Sequence, residues 1–460
     1  MSVAAAAAAD VPRWSPARAL LVAGWAGAFA AYAAGIMWVG LHTPTISSDD
    51  ALFLARGLTR FSVLDFSPQF PGYPGFVAMG RLLLPLAGDP LRALAMLTAM
   101  LAFAIPPLAA TAAWRATASG GAALGAFALA LCQPLMPDLA LSLLTDGAGI
   151  AFLLGFLALL PRADESIRWR VACAAGAVLA WGLACRPSDA VLFAGAASGA
   201  LWVRPRLTLP LAVGALAIAV PVALVVAGLE GGAYIGEGLR FVGGHATLWG
   251  NTAFATGAHR SWLAAIGAVP GGLALAAVMI AGTVLALFRG RRAPPTLVAA
   301  TVAFAAYGVW IAVFQNPDQL RHLGPLLVLG GLILTMLAGT GARLPAGGAV
   351  IALMLEVAGL GGTASPDPRM TSPLAAVTAV LAADGDAAVA TNAGVATLRA
   401  ALPGARVYDA YYTADAALGL REAAGPAFRI SMTPITGITP AAEFRGRFAG
   451  EPTLWLYRVK

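Results

Sequence analysis

Long apolar segments separated by short polar loops make up most of the chain. Stretches close to the roughly 20 residues that cross a bilayer lie at about 19–40, 91–114, 119–135, 143–160, 169–185, 188–203, 207–229, 262–288, 296–314, 322–340 and 345–362. We interpret each stretch as a membrane-spanning helix. The pattern therefore predicts an α-helical polytopic membrane protein with about 11 spans.

One further apolar stretch, residues 71–88, differs from the others. It reads PGYPGFVAMGRLLLPLAG, so it opens with two prolines and carries Arg81 near its middle. If it crossed the membrane, it would reverse the side of every later loop and place the arginine-rich loops outside. We therefore expect interfacial helices in the first outer loop, one here and one that begins near Asp49.

The arginines set the expected orientation. Arg115, the clusters PRADESIRWR, RPR and RGRR, and Arg343 fall in every second loop, and short loops rich in arginine face the cytoplasm. We expect residues 1–18 to form a disordered cytoplasmic tail and residues 19–362 to form a transmembrane domain. The first apolar run is longer than a signal-peptide core of roughly 7–15 residues, so we expect a retained span. These features predict a multi-pass protein of the bacterial inner membrane.

The composition changes after Gly362. Charged residues return, and short runs such as DAAVAT, ARVYDAYY and PTLWLYRVK alternate with alanine-rich helical stretches. This alternation is typical of a small α/β unit. We expect residues 363–460 to form such a domain, and an odd number of spans would place it in the periplasm.

The overall composition agrees with a membrane protein. Hydrophobic residues make up 59% and charged residues 11% of the 460 positions, whereas about 25% are charged in soluble domains. The net charge is +7, and the basic residues are almost wholly arginine, since Lys460 is the only lysine. We therefore expect no nucleic-acid partner. The three cysteines lie in apolar segments, which predicts buried hydrophobic roles rather than a disulfide framework or a metal cluster.

Two adjacent carboxylates, Asp49 and Asp50, follow the first span in the sequence SSDDALFLARGL. Ser47 or Ser48 is a candidate N-cap, so one interpretation is a capped helix whose dipole is complemented by acidic residues. That interpretation accounts for one aspartate better than for two that repel each other. A general base or a pair of ligands for a divalent cation accounts for both.

Other charged residues gather on the same predicted side. Asp146 lies about one turn inside a span, where burying a carboxylate costs about 2.5–3.5 kcal/mol; it is either a functional carboxylate or the partner of an arginine such as Arg186. Arg186 and Arg321 are candidates to bind phosphate, with contacts to lipid headgroups as the alternative. Arg260 is a third candidate.

Four further side chains are candidates for substrate binding. His245 and His259 lie in the long outer loop, without the compact spacing of metal ligands. Tyr73 belongs to the PGYP sequence, and His322 follows Arg321. No cofactor is predicted, and a divalent cation held by the acidic pair is the alternative.

The order of these features resembles the GT-C superfamily of integral-membrane glycosyltransferases, which includes the aminoarabinose transferases of lipid A and the protein O-mannosyltransferases. The resemblance rests on SSDDALFLARGL, QFPGYPGFVAMGRLL, LRALAMLTAML, LLTDGAGIAF and GLACRPSDAVLF in that order. It implies an inverting transfer of a sugar from a polyprenyl-phosphate donor to an envelope acceptor, a lipid, glycan or protein, at the periplasmic face.

The resemblance also implies roles for individual residues. Asp49 or Asp50 would be the base that deprotonates the acceptor hydroxyl, and Asp146 would be the second acidic position. Arg186 and Arg321 would lie near the lipid phosphate. The alternative function is a secondary transporter of the inner membrane, but the sequence has no detectable inverted repeat and its acidic residues gather at one face.

Overall fold

The computed structural model describes residues 15–162, 164–249, 261–365, 367 and 369–460. The helices before the C-terminal unit are α1 (Pro16–Gly40), α2 (Asp49–Thr59), α3 (Pro74–Ala87), α4 (Pro90–Thr117), α5 (Gly120–Cys132), α6 (Met136–Leu141), α7 (Asp146–Leu159), α8 (Trp169–Cys185), α9 (Ala190–Val203), α10 (Thr208–Glu230), α11 (Ala233–Gly244), α12 (Trp262–Gly267), α13 (Gly272–Arg289), α14 (Pro295–Phe314), α15 (Gly324–Gly339) and α16 (Arg343–Thr363).

The predicted class, a polytopic helical membrane protein, is confirmed. Every predicted span contains a helix, although residues 262–288 are divided between α12 and α13. Among the described residues, seven helices are long and apolar enough to cross a membrane: α1, α4, α10, α13, α14, α15 and α16. Helices α5, α7, α8 and α9 have 13, 14, 17 and 14 residues. The count of eleven spans stays a prediction.

Small residues let neighbouring helices approach each other closely. A Cβ on Gly176 of α8 would overlap the Leu211 carbonyl oxygen of α10, and one on Gly214 of α10 would overlap the Cys173 carbonyl oxygen of α8. Close backbone contact at glycine is a common way for membrane helices to associate, because lipid provides no hydrophobic force between them. These glycines therefore fix the packing of α8 against α10.

The segment between α1 and α4 folds into α2 and α3. The Ser48 hydroxyl accepts a hydrogen bond from the Ala51 amide (3.4 Å), so Ser48 caps α2. Arg81 of α3 donates to the carbonyl oxygens of Leu58 (3.0 Å) and Gly57 (3.0 Å) at the end of α2. Arg81 thus completes the C-terminal end of one helix from within the next. The interfacial position of both helices stays a prediction.

The C-terminal unit is the predicted α/β unit. It contains α17 (Pro373–Leu381), β1 (Ala388–Thr391), α18 (Val395–Ala401), β2 (Arg406–Asp409), α19 (Thr413–Arg421), β3 (Ala427–Ser431), β4 (Ala442–Phe444) and β5 (Leu454–Arg458). The five-stranded sheet has the order β2-β1-β3-β5-β4, with β1 parallel to β2 and β3 and the remaining pairs antiparallel. Helices α17 and α18 pack on one face and α19 packs on the other.

The C-terminal unit is tied to the segment between α1 and α2. Ser372 donates its hydroxyl hydrogen to the Ile46 carbonyl oxygen (3.0 Å). Arg447 forms a buried ion pair with Glu451 (2.7 Å) and also donates to the Thr45 hydroxyl (3.3 Å). These contacts hold α18 and the ends of β1 and β2 beside the start of α2.

Candidate active site

A cavity of about 770 Å³ lies between the membrane helices and the C-terminal unit. Eight predicted site residues line it: Asp49, Asp50, Tyr73, Asp146, Arg186, His245, Arg321 and His322. The other two, His259 and Arg260, lie outside the described residues. Candidates chosen from loops far apart in the sequence therefore share one cavity.

Asp50 faces this cavity with two fixed partners. Its Oδ1 accepts a hydrogen bond from Gln69 Nε2 (2.9 Å), and its Oδ2 lies 3.0 Å from Arg321 Nη2. The Asp50 side chain is 41% exposed, whereas that of Arg321 is 16% exposed. Asp50 is therefore held in one orientation but stays accessible from the cavity. Sequence reasoning missed Gln69.

Asp49 has different partners. Its carboxylate accepts hydrogen bonds from the amides of Ala396 (3.0 Å) and Thr397 (2.8 Å) and from the Thr397 hydroxyl (2.9 Å). Helix α18 begins after Gly394, which provides no side chain for capping. Asp49 satisfies the amides that would otherwise lack partners. It thus caps a helix of the C-terminal unit from the membrane domain.

The different partners of the two carboxylates bear on metal binding. A cation held by both would have to compete with the α18 amides for Asp49 and with Arg321 for Asp50. Over the described ranges, no group of three or more His, Cys, Asp or Glu side chains is placed to hold a metal ion. Metal binding by the pair stays a prediction.

Arg186 is the centre of a buried charge cluster. Its Nη2 lies 2.8 Å from Asp146 Oδ1, its Nε lies 3.0 Å from Asp189 Oδ1, and its Nη1 donates to the Thr145 hydroxyl (2.8 Å). The three charged side chains are at most 8% exposed. Pairing with Arg186, one of the two alternatives for Asp146, is the arrangement observed.

Glycines bring the surrounding elements close to this cluster. A Cβ on Gly149 of α7 would overlap Asp189 Oδ2 and lie 3.0 Å from Arg186 Cδ. A Cβ on Gly75 of α3 would lie 3.0 Å from the backbone at the end of α8. Because α3 can approach α8 this closely, Tyr73 at its start lines the same cavity as Arg186.

Tyr73 and His245 are neutral polar groups of the cavity. Burial raises the pKa of the Tyr73 hydroxyl well above its usual range, and the Asp50 carboxylate adds to the shift. Tyr73 therefore stays protonated and able to donate. His245 Nε2 forms a hydrogen bond with the Phe314 carbonyl oxygen (3.0 Å), and burial lowers the pKa of His245.

The C-terminal unit supplies one wall of the cavity, and sequence reasoning named none of the residues in this wall. The residues of this wall are Asn392, Val395, Ala396, Arg399, Asp409, Tyr411 and Tyr412. A signal was present in the sequence: polar residues follow β1 and β2, and ligands of open α/β sheets bind outside the carboxyl ends of parallel strands.

The fold was compared with those of known proteins. No family model and no curated protein matches the chain by sequence. The fold is similar to the crystal structure of ArnT from Cupriavidus metallidurans bound to undecaprenyl phosphate, with a TM-score of 0.56, 14% identity, and coverage of 96% of this chain and 98% of that chain. The apo state of the same protein gives a TM-score of 0.52 at 15% identity, with the same coverage. The chain therefore shares its fold with these two structures, and the predicted resemblance is confirmed for the fold.

Proposed function

We propose that the protein is a glycosyltransferase that moves a sugar from a polyprenyl-phosphate donor to an envelope acceptor, with inversion. The observation that carries this proposal is the placement of an accessible carboxylate, Asp50, in one cavity with Arg186 and Arg321. Displacing a sugar from phosphate requires a base for the acceptor and positive charge for the leaving group. The ArnT fold, bound to undecaprenyl phosphate in one crystal structure, supports the same donor class.

Arg321 is the proposed primary contact of the donor phosphate. It lines the cavity, and its Nε is buried without a hydrogen-bond partner. Guanidinium groups pair well with phosphate because their donors match its oxygens. Arg186 lines the same cavity at a fixed position, with Asp146 and Asp189 as its counter-ions. His322 lines the cavity next to Arg321 and adds a hydrogen-bonding group.

An apolar groove supports binding of the donor's lipid chain. It has a volume of about 490 Å³ and is lined by α12 to α15, with Trp262, Met279 and Phe304 among its residues. Leu320 and Leu323, which flank Arg321 and His322, also line this groove. An isoprenoid chain bound there would direct its phosphate toward Arg321.

Asp50 is the proposed base. The acceptor oxygen attacks the anomeric carbon, the bond from that carbon to the phosphate oxygen breaks, and the acceptor proton passes to Asp50. Polyprenyl phosphate leaves with the electron pair of the broken bond. A single displacement of this kind inverts the anomeric configuration. Donor phosphate would compete with Asp50 for Arg321, so donor binding would release the base for the acceptor.

We place this reaction at the periplasmic face of the inner membrane, with the N-terminus in the cytoplasm and the C-terminal unit in the periplasm. The arginine distribution of the loops supports this orientation.

One experiment separates transfer from transport, the alternative function. The protein is reconstituted in vesicles together with envelope lipids, glycans and proteins, and polyprenyl phosphate carrying a radiolabelled sugar is added. We expect the label to become covalently attached to an envelope component while polyprenyl phosphate is released. Label that crosses the vesicle membrane without changing its chemical form would contradict the transferase and support the transporter.

A further inference from the structure

The carboxyl ends of the two parallel strands β1 and β2 open into the cavity that contains Asp50. Asn392 directly follows β1, Asp409 ends β2, and Tyr411 and Tyr412 follow it. We call these four residues the acceptor wall. In open α/β sheets this edge is the usual ligand site, because the loops that follow parallel strands leave a crevice there.

An anion at such an edge usually binds to the N-terminus of a helix, and here that position is already occupied. It is the start of the helix after β1, where amides point outward. Here the amides of Ala396 and Thr397 bind the carboxylate of Asp49. A ligand on the acceptor wall must therefore be recognised by the side chains beside this helix, and not by its amides.

Those side chains suit a ligand rich in hydroxyl groups. Asp409 presents a carboxylate, Asn392 an amide and Tyr411 a phenol, and Tyr412 is 54% exposed. Carboxylate and amide groups can bind neighbouring hydroxyls, and an exposed aromatic ring provides an apolar surface with a polar tip. The C–H face of a sugar ring fits such a surface. Asp409 would repel a phosphate group.

Binding of a peptide strand is less well supported. Strand β2 is an edge of the sheet, and a peptide could add to it through backbone hydrogen bonds. However, the Val407 carbonyl oxygen of β2 already accepts hydrogen bonds from Arg399 Nε (3.1 Å) and Nη2 (2.9 Å). This edge is therefore partly occupied by the protein itself.

We propose that the acceptor wall binds the acceptor substrate and that this substrate is a carbohydrate, with its ring against Tyr412 and its hydroxyls on Asp409 and Asn392. The inference rests on the proposed function, because the wall shares its cavity with the proposed base. It assigns the C-terminal unit a direct part in acceptor recognition. The acceptor hydroxyl would then lie between Asp409 and Asp50.

The experiment measures sugar binding without requiring turnover. The full-length protein in nanodiscs is mixed with methyl glycosides of glucose, mannose, galactose and N-acetylglucosamine, and saturation-transfer NMR reports contact with the ring protons. We expect contact with at least one glycoside. The variants Asp409→Asn and Tyr412→Ala should each weaken binding about tenfold, the loss expected for about 1.4 kcal/mol. The control is Asp415→Asn, the same change at an exposed site of α19 away from the cavity, which should bind as the wild type does.

Two results would overturn the inference: no glycoside contact in the wild type, or contact that both wall variants keep. Transfer of the labelled sugar to a protein in the vesicle assay would also overturn it while leaving the glycosyltransferase intact. Conversely, glycoside binding that depends on the wall, in a protein without transferase activity, would support the wall and contradict the proposed function. The two failures are therefore distinguishable.

Discussion

Asp50 and Arg321, 271 positions apart in the chain, form an ion pair with an Oδ2–Nη2 distance of 3.0 Å at the wall of the cavity. The pair joins the start of α2 to the turn before α15. It brings Asp50, the proposed base, into contact with Arg321, the residue proposed to bind the donor phosphate. We expect this ion pair to break when the donor phosphate replaces Asp50 as the partner of Arg321.

The first prediction concerns Asp49 as a helix cap. Asp49→Ala should release the amides of Ala396 and Thr397, because no side chain at Gly394 replaces the lost acceptor. The cost should be about 1 kcal/mol, as for other N-caps. Amide hydrogen exchange of α18 measures this loss of stability, and we expect faster exchange in Asp49→Ala than in the wild type. Asp49→Asn is the matched variant: asparagine also caps helices well, so exchange should stay close to the wild-type rate. Equal protection in both variants would contradict the cap.

The second prediction concerns phosphate binding. Arg321→Gln should weaken binding of undecaprenyl phosphate by about tenfold or more, because a charged hydrogen bond contributes about 1.5–3 kcal/mol. Arg321→Lys should be intermediate, since lysine keeps the charge but loses the planar donor pair. Arg240→Gln is the control, because this arginine is 84% exposed on α11. Titration of each purified variant with undecaprenyl phosphate tests the order, and equal affinities for all three would refute it.

Much of the fold could be predicted because hydropathy and the positions of arginines can be read from short segments of the sequence. Lipid requires long apolar helices, so the segments containing α4, α14 and α15 were evident in the sequence. The helices α5 and α7 fall short of a full span, which a hydropathy window cannot detect. Arg81 was a cue for an interfacial helix, yet its partners are carbonyl oxygens of α2.

The candidate site was predictable in its membrane half only. Buried charges are costly in a membrane, so Asp146 and Arg186 were conspicuous. The different roles of Asp49 and Asp50 were not predictable, because Asp49 binds Ala396, 347 positions away. Asp409 lies in the C-terminal unit, where charged residues are common, so the sequence did not distinguish it from other charged surface residues. Such relationships depend on tertiary structure.

The third prediction concerns packing around Arg186. Gly149→Ala would place a Cβ against the Asp189 carboxylate and Arg186 Cδ, and forcing an atom into a packed core costs about 1–3 kcal/mol. We expect a lower thermal unfolding midpoint. Gly308→Ala on α14 is the matched control, because a Cβ there has no neighbour within 4 Å. A Gly149→Ala protein as stable as the Gly308→Ala protein would show that the cluster is not packed as described.

The fourth prediction is a pH dependence. Burial raises the pKa of Asp138 from 3.8 to about 7, and the nearby Asp146 carboxylate adds to the shift. The native state therefore binds a proton that the unfolded state has lost between about pH 4 and pH 7. Stability should fall as the pH rises through this range and should stop falling, for this group, above it.

Asp138 packs against Gly450 of the C-terminal unit, so its ionisation should weaken the docking of this unit. Asp138→Asn should reduce the loss of unfolding midpoint between pH 5 and pH 8. Asp415→Asn, at an exposed site, should keep the wild-type loss. The opposite result would be a wild-type protein whose unfolding midpoint rises from pH 5 to pH 8, with the same rise in Asp138→Asn. It would show that Asp138 is ionised throughout this range.

The central claim is that Asp50, and not Asp49, is the base. The direct measurement is the transfer rate from polyprenyl phosphate carrying a radiolabelled sugar, compared among the wild type, Asp50→Asn and Asp49→Asn at equal membrane levels. Loss of a general base lowers the rate by about 10²–10⁴-fold, so Asp50→Asn should fall by that factor while Asp49→Asn stays within a few-fold of the wild type. Near wild-type transfer by Asp50→Asn, or a loss of that size confined to Asp49→Asn, would contradict the account.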